Sequence, residues 1–379
     1  MSWKQVRLGE ILNISKGKKH KEAPFDNSNY RYISIEDLNG GNEKKYTNEK
    51  GTIVKENDVI ITWDGANAGK VGVGFNGVIG STLARLHLVG NGIDPRFLFW
   101  YLDSKVTSIK SQRIGATIPH INGSVLKDLL IPIPPLSTQK HIAEILDKAD
   151  ALRRKDQALM KKYDELAKAL FIDMFGDPVK NERGWKIKRL SDVVNPDRII
   201  TYGIVQAGEN IKDGVPYIRT GDIKNGKILT TQLLRTSTTI ANSYKRSQVN
   251  IGDIVMSIRA TVGTVALLPN ELDGANLTQG TARISPGNSI NRQYLYWYLK
   301  SDAAQRWISI NSKGATFREI TLTKLRELPI LVPDIELQHK FEKQSSYVEN
   351  QLLLSQTNIN ISESLFQSLL QQAFKGELT

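Results

Sequence analysis

The second half of this chain repeats the first. Trp3-Lys4 followed by Arg7-Leu8 returns as Trp185-Lys186 and Arg189-Leu190, and further segments recur in the same order at an offset that drifts from about 182 to about 199 residues. Each copy closes on a long helical pattern, first Gln139 to Phe175 and then Gln338 to Phe374. Solenoid repeats run to roughly 20–50 residues, so a period this long describes two copies of one domain, each with its own helix. A chain built this way has an internal pseudo-twofold axis. It suits a target with two similar, non-identical halves.

The matches hold in order and spacing. Tyr32-Ile33 and Asp37 reappear as Tyr217-Ile218 and Asp222, and Asp58-Val59-Ile60 as Asp253-Ile254-Val255. Ala84-Arg85-Leu86 corresponds to Ala282-Arg283-Ile284, Leu98-Phe99-Trp100-Tyr101-Leu102 to Leu295-Tyr296-Trp297-Tyr298-Leu299, and Gly115-Ala116-Thr117 to Gly314-Ala315-Thr316. Ile133-Pro134 with Gln139 becomes Val332-Pro333 with Gln338. The copies diverge across Ser15 to Tyr30 against Asp197 to Val215. Shared positions read as scaffold, and divergent ones as what distinguishes the copies.

Composition narrows the class. The chain has 379 residues, enough for two or three cores. It has no Cys, which excludes disulfides, thiolate metal sites and a Cys nucleophile and fits a reducing cytoplasm. The start, Met1-Ser2-Trp3-Lys4-Gln5-Val6, has no apolar signal core, and no run reaches membrane-spanning length, so a cytoplasmic protein without membrane contact is expected. A formal charge of +12 points to a polyanionic partner, nucleic acid first among them.

Each copy reads as an α+β globule. Val54 to Thr62 and Val249 to Ile258 look like buried strands with a central turn pair, Asn57-Asp58 or Gly252-Asp253. Val71 to Val78 alternates and supplies Asn76-Gly77, which predicts a type I′ hairpin. Arg96 to Ser104 and Arg292 to Ser301 are apolar at helical spacing. Trp100, Tyr101, Trp297 and Tyr298 recur there, so they read as core rather than as base-stacking aromatics. Pro132, Pro134 and Pro135 in one copy, and Pro329 and Pro333 in the other, stop the globule ahead of the long helix.

The two helical patterns carry heptads. In the first, Ile142, Ala149, Tyr163 and Leu170 form one row, and Ile145, Leu152, Leu159 and Leu166 the other. In the second, Leu352, Ile359, Phe366 and Ala373 alternate with Phe341, Val348 and Leu369. Two such seams in one chain predict an antiparallel coiled coil, the alternative being that each helix merely caps its own globule. Asp156 and its counterpart Ser355 fall near the seam midpoints, where a twofold axis would bring equivalent residues face to face. A polar layer there would reject shifted pairings, the alternative being that both residues lie beside solvent. The stripe Lys140, Arg154, Lys161 and Lys168 lies on the outer face and reads first as a solvated surface, with a contact to DNA or an acidic partner as the other option.

Catalytic motifs fail in informative ways. Gly72-Val73-Gly74-Phe75-Asn76-Gly77 satisfies the dinucleotide pattern, which needs a strand before it and a helix after it, but it sits inside the predicted hairpin. Gly65-Ala66-Asn67-Ala68-Gly69-Lys70-Val71 is one residue short of a phosphate loop, lacks the following Ser or Thr, and reads as a glycine-rich turn. Asp213 with Asp222-Ile223-Lys224 faintly suggests a nuclease set, yet the other copy has Glu36-Asp37-Leu38, so a shared turn explains the Asp better. His20, His87, His120, His141 and His339 show no metal-ligand spacing, no nucleophile elbow occurs, and Pro134-Pro135 is followed by Leu136 rather than completing an adenine-methyltransferase tetrapeptide. The pattern is that of a reader, not an enzyme.

Three segments then resemble a known family. The run Ile131-Pro132-Ile133-Pro134-Pro135-Leu136-Ser137-Thr138-Gln139-Lys140-His141-Ile142-Ala143, the exit Phe171-Ile172-Asp173-Met174-Phe175-Gly176-Asp177-Pro178 before Gly184-Trp185, and the terminal Ala373-Phe374-Lys375-Gly376-Glu377-Leu378 resemble the specificity subunit of type I restriction-modification systems. Trp63 to Gly72 also looks like the family's first target-recognition domain, with Ile258 to Val265 a divergent second version. The resemblance covers the whole chain. It implies target-recognition domains at 1–137 and 177–336, a central spacer helix at 138–176 and a C-terminal one at 337–379.

Such a subunit reads an asymmetric, bipartite site in double-stranded DNA, one half per globule, and its antiparallel helices set the distance between halves. It has no catalytic residues and no cofactor of its own. Two methyltransferase subunits that bind S-adenosylmethionine dock on it, and two restriction subunits that use ATP and Mg can join them. Base readout needs bidentate donors in the major groove. Candidates in the glycine-rich or divergent loops are Lys16, Lys18, Lys19, Asn67, Lys70, Arg113 and His120 in the first domain, and Tyr202, Gln206, Arg219, Lys224, Arg259, Lys313 and Arg318 in the second. A stand-alone pseudo-dimeric DNA-binding regulator would share the repeat and the charge; a fused type II-like enzyme is disfavoured by the lack of any nuclease or methyltransferase block.

Overall fold

A computed structural model describes residues 3–26, 29–113, 119–224, 226–314 and 318–378. The repeated Gly115-Ala116-Thr117, and Ala315-Thr316 of its second copy, lie outside the described residues. The chain divides into two compact units, residues 1–158 with 356–379, and residues 159–355. Among the described residues, no helix is long and apolar enough to cross a membrane.

In the first unit an antiparallel sheet runs in the order Leu12–Lys16, Leu83–Leu88, Val59–Thr62, Val71–Val73. Val59–Thr62 is buried along its whole length, which is why it reads as a continuous apolar run. The turn predicted before it is present: Asp58 accepts the Lys55 N–H at 2.9 Å, as Asp253 accepts that of Asn250 at 2.7 Å in the second unit. The predicted hairpin at Asn76-Gly77 does not form. Val71–Val73 pairs back to Val59–Thr62, while Gly77–Ile79 crosses to a second sheet, antiparallel to Ile53–Val54 and parallel to Tyr30–Ile33. Gly77 is required for a different reason, since a Cβ there would lie 2.2 Å from the Arg31 carbonyl oxygen.

The second unit repeats this plan. Thr201–Tyr202, Thr281–Ile284, Ile254–Ser257 and Val265–Leu267 form the antiparallel sheet, and Val215–Ile218 pairs parallel to Asn276–Leu277 in another. The predicted aromatic helices appear in both units as Pro95–Ser104 and Arg292–Lys300. Asp94 and Asn291 cap them by accepting the N–H groups two and three residues on. Trp100, Tyr101, Trp297 and Tyr298 are all buried, so they are core. Their polar tips are satisfied, Trp100 by Asp147 at 2.8 Å and Trp297 by Glu349 at 3.3 Å. The phenols of Tyr101 and Tyr298, donating to the Leu130 and Pro329 carbonyls, are pushed up to about 12 by burial.

The long helices span Leu136–Phe175 and Ile335–Lys375. Within the first unit Phe366 stacks edge-on against Trp100, and Arg153 lies over the Phe366 ring while reaching Glu363 at 3.3 Å. Within the second, Phe171 meets Phe341 edge-on at 5.5 Å, and the Tyr163 hydroxyl donates to Gln351 at 3.5 Å. Early residues of one helix thus pair with late residues of the other in each unit, which is antiparallel packing. The first seam needs one correction. Its first row is as predicted, but Leu152, Leu159 and Leu166 are 45%, 40% and 51% exposed, and the inward second row is Leu146, Arg153, Met160, Ala167 and Met174. Four residues, not three, separate the two rows, and Arg153 is accommodated because its guanidinium finds Asp150, Glu363 and an aromatic face. Ser355 is buried and Asp156 half-buried, each on the inward row of its own helix. The stripe residues are exposed in the chain, Arg154 pairing with Asp150, Lys161 with Glu165 and Lys168 with Asp164, each one turn away.

The three segments that carry the family resemblance have physical roles. Gln139 and Gln338 are fully buried. The Gln338 amide accepts the Asn291 N–H at 2.8 Å and donates to the Pro333 carbonyl at 2.7 Å. Gln139 accepts the Asp94 N–H at 2.8 Å and donates to Pro134 and Gly92. Each glutamine therefore hooks the start of a long helix to the cap of the aromatic helix. At the other ends Gly176 and Gly376, both at φ +80°, supply the left-handed residue that stops the helix. Phe175 then packs on Tyr294, and Phe374 on Phe97 and Tyr101.

Candidate nucleic-acid interface

The same corner of each unit gathers most of the candidate readers. In the first, the buried strand Val59–Thr62 delivers a loop, Trp63 to Lys70, whose backbone is fixed on two sides. The Trp63 N–H donates to Thr82, the Gly65 N–H to Pro119 at 2.8 Å, and the Ile121 N–H returns to Trp63 at 2.9 Å. Asp64 and His120 form a β-bridge. Lys16, at the end of its strand, lies over the Trp63 ring at 5.0 Å and 3.9 Å from Asp64. Gly17 lets the chain leave that strand against the Ile79 and Gly80 carbonyls, where a Cβ would come within 2.4 Å and 2.2 Å. Lys18 and Lys19 follow, exposed. Asn67 projects from the loop, and the Arg113 guanidinium holds the Ala66 carbonyl at 3.3 Å and that of Lys110 at 2.9 Å. Lys16, Asn67, Arg113 and His120 are thus brought to one loop. Lys70 donates to Asn39 at 2.6 Å, and burial, Lys110 and Arg154 push its ammonium below the usual lysine range.

In the second unit Ile254–Ser257 delivers the equivalent loop. The Ile258 N–H donates to Gly280 at 2.8 Å, the Ala260 N–H to Arg318 at 2.9 Å, and the Ile320 N–H returns to Ile258 at 3.0 Å. Lys313 and Arg259 both bridge to Glu319, and the Arg259 side chain reaches that carboxylate at 3.1 Å. Arg318 is exposed and anchored on Ser309. A Cβ on Gly280 would touch Thr220 and approach the Arg259 Cβ, which puts the Arg219 turn beside the same loop. Arg219 itself is forked onto Asp222, which raises its pKa further. Asp222 is therefore a turn residue, as its counterpart Asp37 is for Ser34. Tyr202 and Gln206 lie on or just past the edge strand and are exposed. Lys224 stands apart on the Ile223–Lys224 and Lys227–Ile228 hairpin.

The sequence reading missed Asp64 and Glu319. The aligned copies carry the missing signal: the offset at the preceding strand sets Asp64 against Arg259, and the one at the helix junction sets His120 against Glu319. The two loops thus share a backbone frame and carry opposite charges at one equivalent position, Asp64 and Arg259, the latter paired with Glu319. An acid there accepts from a cytosine amino group and an arginine donates to guanine, so the frame is fit to present different chemistry in each copy.

Comparison with known proteins gives the family. The family model described as "Type I restriction modification DNA specificity domain" matches residues 1–161 and 182–363. The EcoBI specificity subunit of Escherichia coli is 27% identical over 100% of this chain and 86% of its own length. The MjaVIII specificity subunit of Methanocaldococcus jannaschii is 28% identical over 92% of this chain and 86% of its own. The crystal structure of the type I S subunit from M. genitalium superposes with a TM-score of 0.62 at 18% identity, over 99% of this chain and 96% of that one, a likeness of fold. The chain belongs to the type I restriction-modification specificity subunits, the non-catalytic targeting members of those systems.

Proposed function

We propose that this subunit reads an asymmetric, gapped site in double-stranded DNA, one half-site per unit, and directs two methyltransferase subunits to it. The observation that carries the proposal is the reversal from Asp64 to Arg259 in two loops with the same backbone ties. Similar frames suit two like partners, and unlike side chains suit two unlike half-sites. Lys16, Asn67, Arg113 and His120 are the first reader, and Arg259, Lys313, Arg318 and Gln206 the second, with Lys18, Lys19, Lys70, Tyr202, Arg219 and Lys224 in phosphate-contacting or flanking roles. The helices, 40 and 41 residues long, set the gap. S-adenosylmethionine belongs to the methyltransferase subunits, and ATP with Mg to restriction subunits where these join, all in the cytoplasm.

Co-expression with the methyltransferase tests the reading. Two methyltransferase copies per chain, and adenine methylation at a gapped bipartite motif, are expected. Stable operator binding by the chain alone, without methylation, would instead make it a stand-alone regulator.

A further inference from the structure

The second unit contains a basic cleft that the readout loops do not use. It has a volume of about 510 Å³ and is lined by Arg198, Lys245, Arg246, Arg283 and Arg326, with Tyr202 at its edge. Arg283 is 5% exposed and donates to carbonyls, those of Arg246 at 2.7 Å, Gln248 at 2.8 Å and Ile199 at 3.3 Å, with its Nε unpartnered. Burial and Arg198 push its pKa down, with the Asp253 carboxylate opposing them. Arg198 is neutralised by Asp253 at 2.6 Å, and its Nε too has no partner. Arg326 donates to the Ile200 carbonyl at 2.6 Å. Lys245 and Arg246 are exposed, and among the described residues no ion pair engages them, Arg283 or Arg326. Asp197 is the one carboxylate in the lining.

Clustered cations with so little countercharge repel one another, and a concave low-dielectric wall strengthens the field they project. The ligand that relieves this repulsion is an oxyanion. The cleft also lies beside the proposed reader. Tyr202 pairs with Ala282 in the strand that reaches Ser257 through Thr281, and helix Leu322–Arg326 follows directly on the loop bearing Lys313 and Arg318.

We infer that this cleft holds a backbone phosphate of the duplex next to the half-site read by the second unit. The inference rests on the DNA-reading function proposed above. It makes Lys245, Arg246 and Arg326 positioning residues that fix register without reading bases. A free phosphate has the same chemistry, so the test separates the two sources.

In the assembled complex, Lys245→Gln with Arg246→Gln is compared with the wild type for duplex affinity across a salt series, and inorganic phosphate alone is tested by thermal shift. Both side chains are exposed, and the backbone carbonyl that holds Arg283 is retained. The log–log salt slope should fall by about 0.9 for one lost phosphate contact, or about 1.8 for two, with the methylated motif unchanged. Lys245→Arg with Arg246→Lys should restore the slope. Coincident slopes for wild type and the glutamine variant overturn the inference. If in that case phosphate stabilises the wild type but not the variant, the ligand is a free phosphate and the DNA contact is still rejected. Failure of the parent reading is seen separately, as a wild type with no site preference, and it overturns both.

Discussion

Replacing Gln338 by Met isolates the energetics of the helix hook. Methionine fills nearly the same volume but removes both polar atoms, leaving the Asn291 N–H and the Pro333 carbonyl without partners in fully buried positions. Each orphaned group costs about 1–3 kcal/mol, so helix Arg292–Lys300 should lose about 4 kcal/mol of local stability. Gln139→Met should cost only about 2 kcal/mol, because its Pro134 bond is fully buried whereas those to Asp94 and Gly92 are only partly so, and water can replace them. A global melt of two units does not define one free energy, so amide hydrogen exchange on the two aromatic helices is the suitable assay. At 1.4 kcal/mol per decade, exchange in Arg292–Lys300 should quicken by nearly three decades in Gln338→Met, against about one and a half in Pro95–Ser104 for Gln139→Met. An acceleration below tenfold in Gln338→Met, or equal effects in the two variants, would show that packing rather than hydrogen bonding holds the hook.

Glu349, half-buried beside Trp297 and Lys300, has its pKa raised above 4.5 chiefly by desolvation. It binds its proton more tightly folded than unfolded, so second-unit stability should be full below that value and decline as pH rises through the raised pKa; Glu349→Gln, which keeps an acceptor for Trp297, should remove that decline, as urea titrations at several pH values would reveal. Asn67→Ala should relax only the first half of the methylated motif and Arg259→Ala only the second; sequencing-based methylation maps in which either variant altered both halves would refute the division of labour. Inserting one heptad into both long helices preserves the seam and lengthens each by about 10 Å, so the unread gap should grow by about three base pairs, and an unaltered gap in the methylated motif would reject the helices as its ruler.

The seam shows where sequence reasoning succeeded and where it slipped. The row Ile142, Ala149, Asp156, Tyr163, Leu170 was legible because its spacing is strict. The second row was not, because the eye follows Leu152, Leu159 and Leu166 over Leu146, Arg153, Met160, Ala167 and Met174, although only the latter face inward. Arginine is acceptable there through Asp150 one turn back and through Glu363 and Phe366 on the other helix, and the latter two have no trace in the local sequence. The hairpin at Asn76-Gly77 failed for a similar reason: a strand pairing with Tyr30–Ile33 outranks a favourable local turn.

The candidate readers were partly legible, and the logic of what repeats explains why. Segments shared by the two copies are those that satisfy backbone groups: the turn acids Asp58 and Asp253, the hooks Gln139 and Gln338, and the helix stops Gly176 and Gly376. A glutamine or glycine in those places answers a geometric demand that is identical in both units, so it recurs. The loops at Asp64 and Arg259 also have their backbone groups tied down, but by main-chain partners that any residue supplies. Their side chains are therefore free to differ without disturbing the fold, even to the point of opposite charge. A scaffold that anchors its loops through the main chain can exchange what it reads while keeping where it reads, and the reversed charges of Asp64 and Arg259 are the mark of that freedom in this chain.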